Sequence, residues 1–165
     1  MKRIYLLLLI SVLLTSCGSS RKPTKTVVLG SSTSYAATKR ISKVVDYAKS
    51  FEGTRYKYGG TDKRGMDCSG LVYVCFMEED IALPRVSREM AKKGVRITLN
   101  EIAEGDLVFF QTNKNRRVIN HVGLVVEERN GEIKFIHSTS SRGVIVSSLN
   151  EDYWKNAFVE VRRVI

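Results

Sequence analysis

A thiol and two imidazoles are the groups of this chain best suited to covalent chemistry. Cys68 and Cys75 lie seven residues apart within Met66-Asp67-Cys68-Ser69-Gly70-Leu71-Val72-Tyr73-Val74-Cys75-Phe76, and the two histidines are His121 and His137. A nucleophilic cysteine acts as its thiolate, which a helix N-terminus and a neighbouring imidazolium both favour. Asp67 suits the cap of a helix starting at Cys68, so Cys68 is the reactive candidate. Cys75 falls two turns further into an apolar run, where burial disfavours the anion, and reads as core. On one helix the two would stand about 10 Å apart along the axis, beyond disulfide reach. His121 opens one strand pattern and His137 ends the next, which brings both to one end of a ribbon. A thiol, an imidazole to deprotonate it and a second group to orient that imidazole make up the apparatus of acyl transfer.

The elements that must hold these groups follow from periodicity. Ile41, Val44, Val45, Ala48 and Phe51 recur at helical spacing and predict an amphipathic helix over residues 41 to 51;. Tyr56-Lys57-Tyr58-Gly59-Gly60 reads as a loop. Leu71 to Phe76 is apolar on every side, so helix and buried strand both fit it. Strand patterns follow at residues 106 to 110, 122 to 128, 133 to 137, 144 to 147 and 158 to 164. Helices first and strands later give an α+β fold with an antiparallel sheet. Asn130-Gly131 is a hairpin signal between two of the strands.

The N-terminus is a different kind of segment. Met1 to Cys17 has a basic start at Lys2 and Arg3, an apolar run of 11 residues from Ile4 to Leu14, and then small residues. That is a secretory signal peptide, and its run is too short to span a bilayer. Leu14-Thr15-Ser16-Cys17 resembles a bacterial lipobox, so residues 1–16 are expected to be removed and Cys17 lipidated, which gives stable membrane anchoring. The processed chain has 149 residues and a charge of +8. Residues 17–39 then hold the lipidated cysteine and a Ser, Thr, Lys and Gly-rich flexible tether, whose coil would reach about 25 Å. Residues 40–165 are the folded domain. An exported chain that keeps a free thiol raises the odds that the thiol is used. The full sequence carries +10, with 27 Lys and Arg against 17 Asp and Glu. No helix-turn-helix pattern, zinc ligand set or aromatic RNA-binding signature accompanies that charge, so nucleic acid is set aside as a partner; an anionic membrane or an acidic polymer fits it.

Asp67-Cys68-Ser69-Gly70-Leu71-Val72, His121-Val122-Gly123-Leu124 and Phe135-Ile136-His137-Ser138 together resemble the NlpC (NlpC and p-sixty) family of bacterial cell-wall cysteine peptidases. Tyr56-Lys57-Tyr58-Gly59-Gly60, Leu83-Pro84-Arg85 and Gly105-Asp106-Leu107-Val108-Phe109-Phe110 match as well, so the resemblance covers about residues 41 to 165 in the family's order. It implies a papain-like fold: helices on one side of a five- to six-stranded antiparallel sheet, with the cysteine at the N-terminus of a central helix. It thereby favours helix over strand for residues 68 to 79. It implies Cys68 as nucleophile, His121 as general base and His137 as the group that orients His121. Tyr56 would help hold the oxyanion or substrate, and Asp67 and Ser69 would contact substrate, with a plain helix cap the alternative for Asp67. Arg55 and Tyr58 depart from the family's usual proline and tryptophan, which bears on the substrate subsite. No metal or organic cofactor is implied. The expected protein is a lipid-anchored endopeptidase of the bacterial cell envelope, held at the outer membrane facing the periplasm, that cuts peptide bonds in peptidoglycan stem peptides or cross-links. The rivals are a non-catalytic peptidoglycan-binding module and an N-acetylmuramoyl-peptide amidase.

The hairpin register tests this reading. With Asn130-Gly131 as a two-residue turn, paired residue numbers sum to 261, and alternation puts His121 and His137 on opposite faces. A three-residue loop with Gly131 as bulge residue gives 260 and makes His137 a same-face diagonal neighbour of His121, about 7–8 Å away. The apolar pattern favours 261, which gathers Val122, Leu124, Val126, Ile133 and Phe135 on one face. A working imidazole pair requires 260 or an equivalent bulge, and that is the expectation.

Overall fold

No Gly or Pro stands between Gly30 and Gly53, and that stretch is helical as far as Lys49. In a computed structural model, which describes residues 29–113, 115 and 117–165, α1 runs Leu29–Lys49. The signal peptide expected over residues 1–16 and the lipidation expected at Cys17 lie outside the described residues. The helix starts twelve residues before the apolar periodicity does, so residues 29–39 are helical rather than the coil that their composition suggested. The reason is that Ala36, Ala37 and Lys39 favour helix and nothing before Gly53 breaks it. Tyr35 stays 72% exposed, whereas Val44, Val45 and Ala48 are fully buried, so only the second half of α1 packs on the core.

A short ribbon, β1 (Thr61–Asp62) with β2 (Gly65–Met66), leads into α2, Cys68–Met77. This apolar segment is a helix, with Leu71, Val72, Cys75 and Phe76 all fully buried between α1 and the sheet. Burying a side chain such as Leu71 or Phe76 stabilises by about 1.5–3 kcal/mol, which anchors the helix that carries Cys68. Its first turn packs against the preceding loop so closely that a Cβ at Gly70 would sit 2.1 Å from the Gly60 carbonyl oxygen. The helix stops at Glu78, and Asp80 turns the chain with φ 56°.

The rest is strand with short helical pieces: α3 (Ser87–Met90), β3 (Val95–Ile97), a 3-10 turn (Leu99–Glu101), β4 (Leu107–Phe110), β5 (His121–Arg129), β6 (Glu132–Thr139), β7 (Gly143–Ser148), α4 (Asp152–Ala157) and β8 (Phe158–Arg163). Six strands form one antiparallel sheet in the order β3-β8-β4-β5-β6-β7. The fold is α+β, as expected, and all five strand patterns are strands. The spacing did not reveal β3, α3 or α4.

Both faces of the sheet are buried. Leu107, Phe109, Val122, Leu124, Val126 and Ile136 pack with α1 and α2. Their neighbours along the strands, Val108, Phe110, Val125, Ile133 and Phe135, pack on the opposite face with Trp154 and Ala157 of α4. The helices are therefore not all on one side.

The hairpin combines both candidate registers. Asn130 and Gly131 have φ of 54° and 80° and make a two-residue turn, and beside it Arg129↔Glu132, Glu128↔Ile133 and Glu127↔Lys134 sum to 261. A bulge then takes up Val126, and beyond it Val125↔Phe135 and Leu124↔Ile136 sum to 260. The register at the histidines is the required one. The device that produces it is a bulge within β5, not a three-residue loop at Gly131.

Candidate active site

Asp67 fixes the start of α2. Its backbone is extended, and its Oδ1 accepts from the Gly70 N–H at 2.6 Å. Its Oδ2 accepts from the Gly59 N–H at 2.7 Å. The Arg85 guanidinium adds a two-pronged contact, Nη1 to Oδ1 and Nη2 to Oδ2, both at 2.9 Å. Arg85 Nη1 also donates to Ser69 Oγ at 2.9 Å, and Nη2 to the Gly60 carbonyl at 3.2 Å. Both oxygens of Asp67 are thus engaged, and the Tyr56–Gly60 loop is bound to the first turn of α2. The cap reading of Asp67 is realised, and Ser69, which is buried, belongs to the same network.

On the sheet side, His121 Nε2 lies 2.9 Å from His137 Nδ1, and His137 Nε2 lies 3.1 Å from Ser147 Oγ. These contacts are compatible with the tautomer pair in which Nε2 of His121 carries its proton toward His137 Nδ1; Nδ1 of His121 is then the basic nitrogen, and His137 donates onward from Nε2 to Ser147;. Trp154 stacks on His121 with ring centroids 5.2 Å apart and meets His137 edge-on at 4.6 Å. His121 is 9% exposed and His137 is fully buried. Asn120 braces the approach to the strand: its side chain accepts from the Thr112 N–H at 2.8 Å and donates to the Thr112 hydroxyl at 2.9 Å.

The two halves meet at Cys68. A cavity of about 360 Å³ is lined by Tyr56, Cys68, His121, Ser138 and Trp154, among others. A second, of about 550 Å³, opens on the other side of Tyr56 and Cys68 and is lined by Asp67, Ser69, Arg85 and Arg88. Ser138 Oγ donates to the Met66 carbonyl at 2.8 Å, which joins β6 to the residues just before Cys68. Cys68, His121, His137, Tyr56, Asp67 and Ser69 are therefore gathered at one place. Cys17 lies outside the described residues. Cys75 is fully buried in the core beneath α2. Three participants had no role assigned from sequence: Arg85, which stood only as part of a matching motif; Ser147, whose place depends on the β6–β7 register; and Trp154, the single tryptophan of the chain.

Burial governs the protonation states. It pushes the Cys68 thiol up, and the charge of Asp67 adds to this, while the N–H groups of Val122, Ser69 and Cys68 itself pull the other way. Cys75 is pushed up to about 12 by burial and by Glu78. Burial lowers His121 to about 4. It lowers His137 to about 2, with the charges of His121 and Arg142 contributing. Tyr56 is raised by burial and then by the negative charge of Cys68 and Asp67, so its phenol stays a donor. Both shifts favour a neutral thiol and a neutral imidazole, and the His121 ring stays unprotonated well below neutral pH.

A pH profile tests that state. A base role for His121 needs the unprotonated ring, so on that reading the acid limb of kcat/KM is expected near pH 4 rather than near 6.5;. The fold must be followed over the same range by circular dichroism. Both histidines bind protons more weakly folded than unfolded, so their contribution to stability is complete above the unfolded pKa of about 6.5 and is withdrawn as pH falls from there. An acid limb at 6.5 with the fold intact would contradict the buried, neutral dyad.

Comparison with known proteins places this arrangement. A family model described as the NlpC/P60 family matches residues 53–163. The probable endopeptidase NlpC of Escherichia coli K12 is 36% identical over 163 residues, which is 98% of this chain and 99% of that one. The murein DD-endopeptidase MepS/murein LD-carboxypeptidase of the same organism is 38% identical over 125 residues, 75% of this chain, and the match spans 63% of that protein. An NlpC/P60 family protein from Bacillus cereus, known from a crystal structure, superposes with a TM-score of 0.68 at 27% identity, covering 74% of this chain and 39% of that one.

Proposed function

The chain belongs to the NlpC/P60 family, and on that premise we propose that it is a cell-envelope lipoprotein that hydrolyses peptide bonds in peptidoglycan stem peptides or cross-links. It is a peptidase of the hydrolase class. In the proposed mechanism His121 Nδ1 takes the proton of Cys68, and the sulfur attacks the scissile carbonyl. The backbone N–H of Cys68 and the Tyr56 hydroxyl hold the oxyanion. His121 then protonates the leaving amine, and water activated by the same imidazole hydrolyses the thioester. His137 is a positioning residue: it keeps His121 in the tautomer whose Nδ1 is free. The observation that carries the reading is the 2.9 Å contact between the two imidazoles, on the rim of a cavity that Cys68 also lines. A binding module has no use for a hydrogen-bonded imidazole pair beside a thiol.

The location follows from the sequence of the leader: removal of residues 1–16, lipidation of Cys17, and residence at the outer membrane facing the periplasm. The substrates proposed are those that the relatives' names describe, murein peptides. The deciding experiment incubates the full chain with purified cross-linked peptidoglycan fragments and identifies products by mass spectrometry. Fragments shorter by hydrolysis of a peptide bond are the expected result, and their masses name the bond. Release of whole peptides from the sugar would make the protein an amidase. Intact fragments that stay bound would make it a binding module.

A further inference from the structure

We propose that a cationic groove continuing from the cleft, past Arg88 to Lys92 and Arg117, binds the acidic second arm of a cross-linked peptide substrate. This rests on the reading of Cys68 as the hydrolytic nucleophile. The 550 Å³ cavity that Cys68 lines is also walled by Arg88, Val118 and Ile119. The same three residues wall a further cavity of about 400 Å³, which extends over Ala91 and Val159 to Lys92, Arg117 and Glu160. The two spaces therefore adjoin and lead away from the thiol.

Two of the groove's three cations, Arg88 and Arg117, carry charge that is only weakly neutralised among the described residues. The Arg88 side chain is 67% exposed, and its carboxylate neighbour Glu89 stands 3.8 Å away. Glu89 is instead held by Lys92 at 2.8 Å. Glu160, the one carboxylate in the lining, is taken by Arg162 at 2.8 Å and Arg96 at 3.6 Å. Among the described residues no carboxylate forms an ion pair with Arg117. Between the cations lie Ala91, Val118, Ile119 and Val159, of which Val118 is 49% exposed. Guanidinium groups suit carboxylates because both are planar and can bond in two places. A floor of small apolar side chains flanked by cations fits a peptide in which methyl groups alternate with carboxylates. The stem peptides of peptidoglycan, built from alanine and acidic amino acids, have that chemistry. A substrate with one arm at Cys68 has its second arm directed along this groove.

The test uses the full-length chain carrying Cys68→Ala, so that binding is read without turnover. The probes are a cross-linked muropeptide dimer with free carboxylates and the same dimer with its carboxylates amidated, titrated by calorimetry at low and high salt. The acidic dimer is expected to bind ~10-fold more tightly, the scale of two partly exposed ion pairs, and to lose that advantage at high salt. Arg88→Gln with Arg117→Gln brings its affinity down to that of the amidated dimer. Lys49→Gln, an exposed cation on α1, leaves the preference unchanged. Equal affinity for the two dimers, a preference that survives the double substitution, an equal loss in Lys49→Gln, or no binding of either dimer overturns the proposal. The unsubstituted chain, run in parallel on the acidic dimer, reports separately on the hydrolase reading: cleavage with equal affinities sinks only the groove, whereas no cleavage sinks the hydrolase.

Discussion

Replacing Cys68 with alanine is expected to lower kcat for peptide hydrolysis by about 10⁴–10⁶-fold while the protein stays folded. Groups that act as one nucleophilic unit fail together, so losing the attacking atom costs about as much as losing the whole set. In the proposed mechanism His121 belongs to the same unit, so His121→Ala is expected to fall into the same range, and the double variant to fall little further. Cys68 is only half-buried at the first position of α2, so truncation removes little packing, and the helix keeps its Asp67 cap. Product formation measured by mass spectrometry over hours, beside a thermal melt of each variant, separates chemistry from folding. Hydrolysis within tenfold of the parent in Cys68→Ala would rule out the thiol as nucleophile. Cys75→Ala is the contrasting case: that thiol is fully buried and pushed up to about 12, so its loss touches packing and leaves the chemistry in place.

Asp67→Ala is expected to cost about 3 kcal/mol of stability, the largest effect of any single change near the site that leaves the nucleophile in place. Loss of an N-cap typically costs about 1 kcal/mol. Removing one partner of a buried ion pair costs about 3–5 kcal/mol when the other charge is stranded. Arg85 keeps 32% of its side-chain surface in contact with solvent, which softens the second figure. For a domain of this size the sum corresponds to a melting temperature lower by about 10 °C. Asp67→Asn keeps an oxygen for the Gly70 N–H and should lose less. In Asp67→Ala with Arg85→Ala the loss should be smaller than the two single losses added together, because the second change removes a charge already stranded by the first. Thermal and urea melts of the four proteins settle it. A cost below 1 kcal/mol would mean that the network around Asp67 does not hold the first turn of α2.

The legible parts of the sequence are those where local rules dominate. Asp67 before Cys68 marks the start of a helix whatever packs on it, and the alternating runs from Leu107 onward are strands. The segment Leu71 to Phe76 could not be assigned from pattern because it is apolar all round, and it is so because it lies between α1 and the sheet. The hairpin misled for a related reason. Gathering Val122, Leu124, Val126, Ile133 and Phe135 on one face assumes a sheet with one buried side. Ile133 and Phe135 in fact pack with Trp154 on the side opposite Val122, Leu124 and Val126. The short pieces escaped because their stability is tertiary: α4 spans six residues and is fixed by Trp154 lying against Phe110, Phe135 and the two imidazoles. Ser147 was out of reach for the same reason, since its partner is set by the β6–β7 register.

The bulge at Val126 makes the β5–β6 hairpin a structure with two phases. From the turn to Glu127 it keeps the phase that its Asn-Gly turn dictates, and from Val125 onward it keeps the one that puts both imidazoles on the same side. The boundary between phases is a count of residues rather than an identity, since any side chain that can enter the core beneath α2 can occupy the bulge. For the site, a substitution in this segment is tolerated more readily than an insertion or deletion;. Loss of a single residue there would leave a more regular hairpin, with a better-matched turn, and would turn His121 away from His137. Length in this stretch matters to the imidazole pair as much as the histidines themselves.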